Sequence, residues 1–301
     1  MPEAEIHVRP ATSRDFEAIE RVAVANDEPT TAPGWPGWLY LEHLLATATV
    51  LVAERDGALL GYGGAAVVGG RRPAAHVTDL FVDPAAHGRG VGGQLLRGLV
   101  AAVPVPDWTT CSSSEPRALT LYVRAGMRPI WPVMYLDGPV TSPPGGPAGA
   151  RSVVMAPDEA AGLELGWSGR DFVTQYRHWA ARPGGSAFRV EVGGRVAAVG
   201  AAREGRMGPA RVLDHLAISP SADPGATLVA ALATDAVRGR YADADTDPDP
   251  AIRLKLALAG PSPAVPQLLG LGFRITDHDT FCATDPALVD TARIVPDPSF
   301  G

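Results

Sequence analysis

The chain has 301 residues, of which 46% are hydrophobic and 20% charged, and this length and composition predict two globular domains. A formal net charge of −7 argues against nucleic acid as the main partner, and no apolar run is long enough to predict a membrane-spanning helix. Two cysteines, Cys111 and Cys282, are too few for a disulfide framework, and the N-terminus lacks the basic and apolar regions of a secretory signal, so we expect a cytoplasmic protein.

Hydrophobic periodicity in the first half of the chain predicts six strands and four helices in the order β-α-α-β-β-β-α-β-α-β. The predicted strands are 6–9, 49–54, 58–68, 75–82, 108–112 and 128–136. The predicted helices begin at Thr12 or Ser13, Trp38, Val91 and Glu115. The strands at 49–54 and 58–68 flank Asp56-Gly57, which predicts a hairpin turn between them.

A glycine-rich loop follows the strand that ends at Val82. Pro84 ends that strand because proline cannot donate to a ladder, and an apolar helix pattern begins at Val91. The loop between them contains glycines at positions 88, 90, 92 and 93. A strand, a glycine-rich turn and a helix start direct backbone N–H groups toward one point, where the helix dipole adds positive potential. With Arg89 beside it, the loop predicts a phosphate-binding site.

Residues 88–93 also satisfy the G-x-G-x-x-G pattern of dinucleotide-binding proteins. That fingerprint requires a first parallel strand before the glycines and an acidic residue about 20 positions later. Predicted antiparallel hairpins precede this loop, and Asp107 lies too close, in a proline-rich turn. The context therefore disfavours a dinucleotide site.

The sequence His-Gly-Arg-Gly-Val-Gly at 87–92 resembles the pyrophosphate loop of the GNAT superfamily of acyl-CoA-dependent N-acetyltransferases. That family's pattern is Gln/Arg-x-x-Gly-x-Gly/Ala after a strand and a short proline-containing turn. His87 departs from it at the first position, where its backbone N–H can still serve. The order of predicted elements also matches the GNAT fold, a mixed sheet splayed at its middle where acyl-CoA enters. The resemblance implies that acetyl-CoA is bound by Leu80, Phe81, Val82, His87, Gly88, Arg89, Gly90, Val91, Gly92 and Gly93, with backbone N–H groups of Leu80 and Val82 polarising the thioester.

The second half repeats this scheme weakly after a proline- and glycine-rich segment. Its predicted strands are 153–155, 188–192, 196–202, 212–218 and 252–259, and its predicted helices are 171–181 and 227–237. The matching glycine loop is degraded, because Asp223 puts a negative charge where pyrophosphate would lie and Pro224 removes a donor. We predict an α/β (α+β) fold with two GNAT-like domains in tandem, each a mixed, splayed sheet flanked by helices. The predicted boundaries are 1–138 for the catalytic domain, 139–150 for a linker and 151–301 for a degenerate domain.

The resemblance also implies catalytic residues. Tyr122, in the segment Leu-Tyr-Val-Arg-Ala-Gly-Met at 121–127, matches the family's tyrosine beside the CoA sulfur, which acts as the acid, although a tyrosine on an amphipathic helix is by default a packing residue. His76 lies where many members carry a glutamate that accepts the amine proton, and a neutral imidazole suits that role. A buried strand histidine with satisfied hydrogen bonds is the alternative. Competing candidates for the base are Asp79, Glu115, Glu28 and Glu42.

Acceptor-side residues in this family come from the first two helices and the loop between them. The predicted substrate-binding residues are therefore Trp35, Trp38 and Glu28, although the tryptophans could equally belong to the core. Trp167, Tyr176 and Trp179 could face the same cleft from the second half. No spacing of His, Cys, Asp or Glu suggests a metal site.

These features predict an enzyme that transfers an acetyl group directly from acetyl-CoA to a small-molecule primary amine in a ternary complex. The alternative is a non-catalytic acyl-CoA-binding module that senses its ligand or binds a partner. A third possibility, acetylation of proteins, would call for an open acceptor groove. We expect a monomer or homodimer without nucleic-acid or membrane partners.

Overall fold

The computed structural model describes residues 5–139, 149–206, 209–239 and 253–301. The first half follows the predicted order of elements. Its strands are β1 (His7–Pro10), β2 (Ala48–Arg55), β3 (Ala58–Gly70), β4 (Ala74–Val82), β5 (Asp107–Ser112) and β6 (Arg128–Pro139). Its helices are α1 (Phe16–Val24), α2 (Leu39–Thr47), α3 (Val91–Ala102) and α4 (Pro116–Arg124).

The second half contains elements beyond those predicted. Its strands are β7 (Arg151–Met155), β8 (Arg170–Asp171), β9 (Ser186–Val192), β10 (Arg195–Glu204), β11 (Ala210–Ile218), β12 (Arg253–Ala259), β13 (Arg274–Ala283) and β14 (Ile294–Val295). Its helices are α5 (Pro157–Ser168), α6 (Val173–Ala181), α7 (Pro224–Leu232), α8 (Asp235–Arg238) and α9 (Ala264–Gly270). The helix predicted at 227–237 is divided into α7 and α8, and residues 140–148 of the predicted linker lie outside the described residues.

The long strands form one continuous mixed sheet in the order β1-β2-β3-β4-β5-β13-β6-β12-β11-β10-β9-β7. The two halves exchange their last long strands. Strand β13 of the second half pairs with β5, and β6 of the first half pairs with β12. Because β13 and β6 also pair with each other, the two half-sheets meet at the exchanged strands.

Each half-sheet is splayed at the same point. Strand β4 pairs with β5 in parallel over 74–77 only, and β11 pairs with β12 over 210–213 only. One residue past each splay point is a β-bulge, Thr78 opposite β3 and Asp214 opposite β10. A bulge re-aims the residues that follow it, so the repeated bulge is a shared feature of the two halves.

Alternate residues of β2 point to different cores, as strand geometry requires. Leu51 and Ala53 pack in the core under α3, whereas Val50 and Val52 pack with α1 and α2. The core under α1 and α2 also contains Trp179 of α6, so a single hydrophobic cluster joins the two halves. None of the helices in the described ranges is long and apolar enough to cross a bilayer.

Candidate active site

The glycine loop of the first half ends at an open helix terminus. Gly88 and Gly90 have φ values of +77° and +79°, which favour glycine, and a Cβ atom at either would meet nothing within 4 Å. Gly90 is the N-cap of α3 and supplies no side-chain cap. The first N–H groups of α3 therefore point toward the loop without a capping side chain, where the helix dipole favours an anion.

His87 ties this loop to the end of β4. Its Nε2 lies 3.0 Å from the Val82 carbonyl oxygen, and a carbonyl accepts, so Nε2 carries the hydrogen. The same carbonyl accepts from Asn26 Nδ2 at 3.2 Å. His87, which stands where the family pattern has Gln or Arg, thus closes the loop through a side-chain hydrogen bond to the end of β4.

The stretch of β4 beyond the splay point presents an open backbone edge. The Asp83 N–H donates to the Leu60 carbonyl on the β3 side at 2.8 Å. Because successive N–H groups alternate across a strand, those of Val82 and Leu80 face the split. This orientation agrees with the role that the family resemblance implies for the two groups, which remains a prediction.

A cavity of about 220 Å³ lies between this stretch of β4 and the second half of the chain. The first half contributes the loop before α2, the start of α2, and β4 to β6; the second half contributes α6, β10, β13 and the C-terminal segment. The described lining residues are Glu28, Pro29, Thr30, Trp35, Leu39, Tyr40, Thr78, Asp79, Phe81, Cys111, Tyr135, His178, Arg182, Arg203, Arg206, Asp279, Asp297, Pro298 and Ser299. The cavity is therefore a composite of both halves.

Asp79 lies on β4 where the strand leaves its neighbour, and it is 7% exposed. Tyr40 Oη donates to its Oδ2 at 2.7 Å, and Tyr62 Oη lies 3.4 Å from its Oδ1. Burial raises the pKa of the Asp79 carboxyl, and the tyrosine hydrogen bonds offset part of that rise. A carboxyl with a raised pKa, held at a cavity wall, can accept a proton from a bound amine.

Two further carboxyl groups lie on the same side of the cavity. Burial raises the pKa of Glu28, and the nearby Asp279 adds to this rise. Burial also raises the pKa of Asp279, which accepts a hydrogen bond from Tyr135 Oη at 2.6 Å. This side of the cavity therefore favours a positively charged group.

Arginines of the second half form another wall. Asp214, the bulge residue of β11, accepts from Arg203 Nε at 2.9 Å and from Arg182 Nη1 at 3.1 Å. The Arg203 guanidinium lies over the Trp35 ring, 5.2 Å from its centroid. Arg206 donates from Nη2 to the carbonyl oxygens of Pro29 and Thr31 in the loop before α2.

The predicted substrate-binding residues divide between two environments. Glu28 and Trp35 line the cavity. Trp38 instead packs against Phe16, with ring centroids 5.7 Å apart, and belongs to the core beside α1. Trp179 is fully buried in that core, although its Nε1 donates to Asp297 at the cavity edge at 2.8 Å.

His76 lies outside the cavity lining and is 1% exposed. Its Nε2 donates to the Pro298 carbonyl at 3.0 Å, so its Nδ1 accepts from the Thr109 hydroxyl at 2.9 Å. Burial lowers the pKa of His76 to about 4. Neither ring nitrogen keeps a lone pair available to a substrate, so this geometry is that of the buried histidine with satisfied hydrogen bonds.

Tyr122 is 5% exposed and packs in the core under α3. Its side chain lies near Thr110, the last β5 residue that pairs with β4, whose own hydroxyl donates to the Val77 carbonyl at 3.2 Å. Burial raises the pKa of the Tyr122 hydroxyl, so the group remains protonated. Tyr122 is not among the residues that line the cavity.

The corresponding loop of the second half is closed. Asp223 Oδ1 caps α7 by accepting from the Ala226 N–H at 2.7 Å, and a Cβ atom at Gly225 would lie 2.4 Å from the Gln267 side chain. Strand β14 pairs with β11 beyond its splay point, at 216–217. Arg293 Nη1 donates to the carbonyl oxygens of Ser219 and Ala222 in the loop itself, at 2.7 and 2.9 Å.

Several cavity residues were not predicted from the sequence. The sequence offers Asp79 only as a competing base and Tyr40 only as a neighbour of Trp35 and Trp38, and it assigns no role to Asp279, Arg203 or Arg206. The signal for Asp79 was its position on the splayed strand beside the loop. The arginines and Asp279 carried no local signal, because strand exchange and the packing of the halves bring them to the cavity. Among the described residues, no group of three His, Cys, Asp or Glu side chains is placed to hold a metal ion.

Comparison with known proteins bears on this arrangement. The family model described as an acetyltransferase (GNAT) domain matches residues 46–128, which include β3, β4, the glycine loop and α3. No curated protein sequence matches the chain.

Solved structures share the fold over nearly the whole chain. A putative acetyltransferase from Pyrococcus horikoshii superimposes with a TM-score of 0.68 at 14% identity, covering 98% of this chain and 96% of its own. A tandem GNAT protein from the clavulanic acid biosynthesis pathway gives 0.63 at 19% identity, with coverage of 94% and 99%. A GCN5-related N-acetyltransferase from Sphaerobacter thermophilus gives 0.55 at 14% identity, with coverage of 98% of both chains. An acetyltransferase (GNAT) domain model thus matches residues 46–128, and nearly the whole chain shares its fold with solved structures that include a tandem GNAT protein.

Proposed function

We propose that this protein transfers an acetyl group from acetyl-CoA directly to the primary amine of a small molecule, and that the first half carries out the chemistry. In this proposal residues 1–138 are the catalytic domain, 139–150 a linker, and 151–301 a degenerate domain that completes the acceptor site. A cytoplasmic location and a monomeric or dimeric state remain predictions from the sequence.

One observation carries the proposal: the open N-terminus of α3 lies beside the unpaired stretch of β4, and the acceptor cavity adjoins that same stretch. The loop 87–93 and the α3 terminus suit the pyrophosphate of CoA, because uncapped N–H groups and the helix dipole favour an anion. In the second half the same position is occupied by Asp223, Gln267 and Arg293. These contacts support acyl-CoA binding by the first half.

The reaction forms a C–N bond and breaks the C–S bond of the thioester. We assign proton removal from the amine to Asp79, because it lines the cavity and its raised pKa makes it a stronger base than an exposed aspartate. The N–H groups of Leu80 and Val82 would polarise the thioester carbonyl. Tyr122, protonated at the splay point, would donate a hydrogen bond to the departing thiolate.

The size of the cavity supports a small acceptor. A volume of about 220 Å³ lies below the roughly 300–1,000 Å³ that is usual for sites of drug-sized ligands. The second half and the C-terminal segment 297–299 wall the cavity, which disfavours a folded protein as the acceptor.

The test combines a thiol-release assay with acetyl-CoA and a panel of small amines with calorimetric titration of CoA. Gly90→Asp should abolish both CoA binding and turnover, because a carboxylate would occupy the anion site. Gly194→Asp is the matched control, since Gly194 has a φ of +77° and open space around it, in the turn between β9 and β10. Retained CoA affinity in Gly90→Asp would contradict the loop assignment, and CoA binding without turnover of any amine would favour the non-catalytic binding module.

A further inference from the structure

We propose that the acceptor carries an anionic group in addition to its amine, and that Arg206, together with Arg203, binds that group. The acceptor would thus be a small zwitterion of amino-acid size. This inference rests on the proposed function, because it concerns the acceptor of the same reaction.

Arg206 is the first observation. It lies between the loop before α2 and the end of β10, and only its Nη2 is engaged by the carbonyl oxygens of Pro29 and Thr31. Within the described residues its guanidinium has no carboxylate at ion-pair distance. A half-buried guanidinium at a cavity wall that is held by backbone carbonyls, with donors left over, is placed to bind an incoming carboxylate or phosphate.

Arg203 is the second observation. Its Nε donates to Asp214 and its Nη1 to the Glu204 carbonyl, at 2.9 Å each, and the guanidinium plane lies over Trp35. These contacts hold the side chain rigid at the cavity wall. Asp214 is shared with Arg182, which also lies 3.7 Å from Asp297. With Arg206, three guanidinium groups thus face two carboxylates at ion-pair distance among the described residues, so the wall keeps positive charge to offer a ligand.

The opposite charge lies nearer the splayed strand. Asp79 lies on β4, beside the place where the amine must lie to reach a thioester bound along that strand, and Asp279 also lines the cavity; Glu28 lies next to Pro29, which Arg206 contacts. Hence a ligand that has an ammonium group at one end and an oxyanion at the other matches both walls. A simple monoamine or diamine would leave the guanidinium of Arg206 without an anionic partner, which is unfavourable in a partly buried site.

The second half would then determine specificity although its own glycine loop is closed. Arg182, Arg203 and Arg206 all come from α6 and from β10 or the residues directly after it. The catalytic strand β4 comes from the first half. The residues that select the acceptor would thus lie in the second half of the chain, and the residues that catalyse the transfer in the first half.

The experiment compares matched acceptors by thiol release with acetyl-CoA: lysine against cadaverine, 4-aminobutyrate against butylamine, and glucosamine 6-phosphate against glucosamine. In at least one pair, we expect kcat/KM to be at least tenfold higher for the compound that carries the anion than for its uncharged counterpart at that position. Arg206→Ala should remove at least tenfold of that preference through KM, while Arg206→Lys should restore part of it. Arg195→Ala, at an exposed arginine of the β9–β10 hairpin, is the control. CoA affinity should remain unchanged in all three variants.

The outcomes separate the two proposals. Turnover of the plain amines at rates equal to their anionic partners, or equal loss for both in Arg206→Ala, would overturn the anion subsite and leave the enzyme assignment standing. If no amine turns over, calorimetric titration of the same compounds into the CoA-bound protein decides: binding of the anionic members that depends on Arg206 supports the subsite, and no such binding refutes it. A preference for the phosphate pair over the carboxylate pairs would identify the oxyanion.

Discussion

Asp79 and His215 occupy matching positions in the two halves, one residue past the bulge of β4 and of β11. Asp79 lines the cavity, whereas His215 is fully buried and stacks on Trp179 with ring centroids 4.8 Å apart. His215 Nε2 contacts both oxygens of Glu164, at 2.9 and 3.1 Å. One position of the repeat thus lines the cavity in one half and forms a closed hydrogen-bonded pair in the other.

Replacing Asp79 by Asn should lower kcat about 10²- to 10⁴-fold, the range typical of a lost general base, with little change in CoA affinity. The measurement is steady-state thiol release together with CoA titration. Asp158→Asn, at an exposed carboxylate on α5, is the control and should retain full activity. A loss of this size in His76→Gln, with Asp79→Asn unaffected, would restore His76 as the base.

Buried histidines should make stability depend on pH. Burial lowers the pKa of His76 to about 4 and that of His178 to about 2, below the usual value near 6.5. Between about pH 6.5 and 4 the unfolded chain therefore binds more protons than the folded chain, so the free energy of unfolding falls on acidification. For His76 alone the full effect is about 3 kcal/mol, reached once the pH has fallen below about 4.

Thermal unfolding followed from pH 7 to 4.5 checks this expectation. The Tm should fall as the pH is lowered, and the fall should be shallower in His76→Gln, which removes one titrating group. The remaining slope would come from His178 and from His43, whose pKa burial also lowers to about 4. Parallel curves for the two proteins would show that His76 is not held neutral by the fold.

At the scale of elements, the two halves differ in how the helix after the glycine loop begins. Gly90 leaves the N-terminus of α3 without a side-chain cap, whereas Asp223 caps α7. A capping carboxylate satisfies an N–H group that an anionic ligand would otherwise contact. The same strand-loop-helix unit thus has an uncapped helix start in the first half, as the proposed anion site requires, and a capped one in the second.

Asp223→Ala should therefore lower the free energy of unfolding by about 1 kcal/mol, the usual loss for an N-cap. CoA affinity should be unchanged, because the bound nucleotide is assigned to the other half. Urea denaturation and CoA titration measure the two quantities. Weaker CoA binding in this variant would place CoA in the second half instead.

At the scale of the whole molecule, the exchange of β6 and β13 makes each half depend on the other. Without β13, the β5 edge of the first half would lose its antiparallel partner over 109–112. An exposed strand edge promotes aggregation. The shared core around Trp179 adds apolar surface that each half alone would expose.

Residues 1–138 expressed alone should therefore aggregate or fail to bind CoA. Coexpression with residues 149–301 should yield a stable complex that binds CoA. The chain is then cut between β6 and β7, which do not pair with each other, and β13 can still pair with β5 and β6. Copurification and CoA titration test this expectation. Independent folding of 1–138 with full CoA affinity would show that the exchanged strand is dispensable.

Local physical rules account for what could be predicted from the sequence. Glycines at 88 and 90, Pro84 and the apolar period of α3 specify a strand, a loop and a helix within one short stretch, and that unit carries the predicted phosphate site. The loss of the anion site at 223–226 could also be predicted from the sequence, because the Asp223 carboxylate and the missing N–H of Pro224 affect only their immediate neighbours. Helix α5 was missed even though Pro157 and two acidic residues mark its start, since two glycines interrupt its helical pattern.

Tertiary structure alone decided which side chains meet. The sequence favoured His76 as the base from its position on β4, but the C-terminal segment closes on that histidine through the Pro298 carbonyl. Arg206 and Asp279 reach the cavity only because two halves pack together and exchange strands. By itself the sequence determined the fold family and the open glycine loop, which are set by contacts between near neighbours. The proposed acceptor cavity is formed by residues far apart in the chain, and no local pattern encodes their meeting.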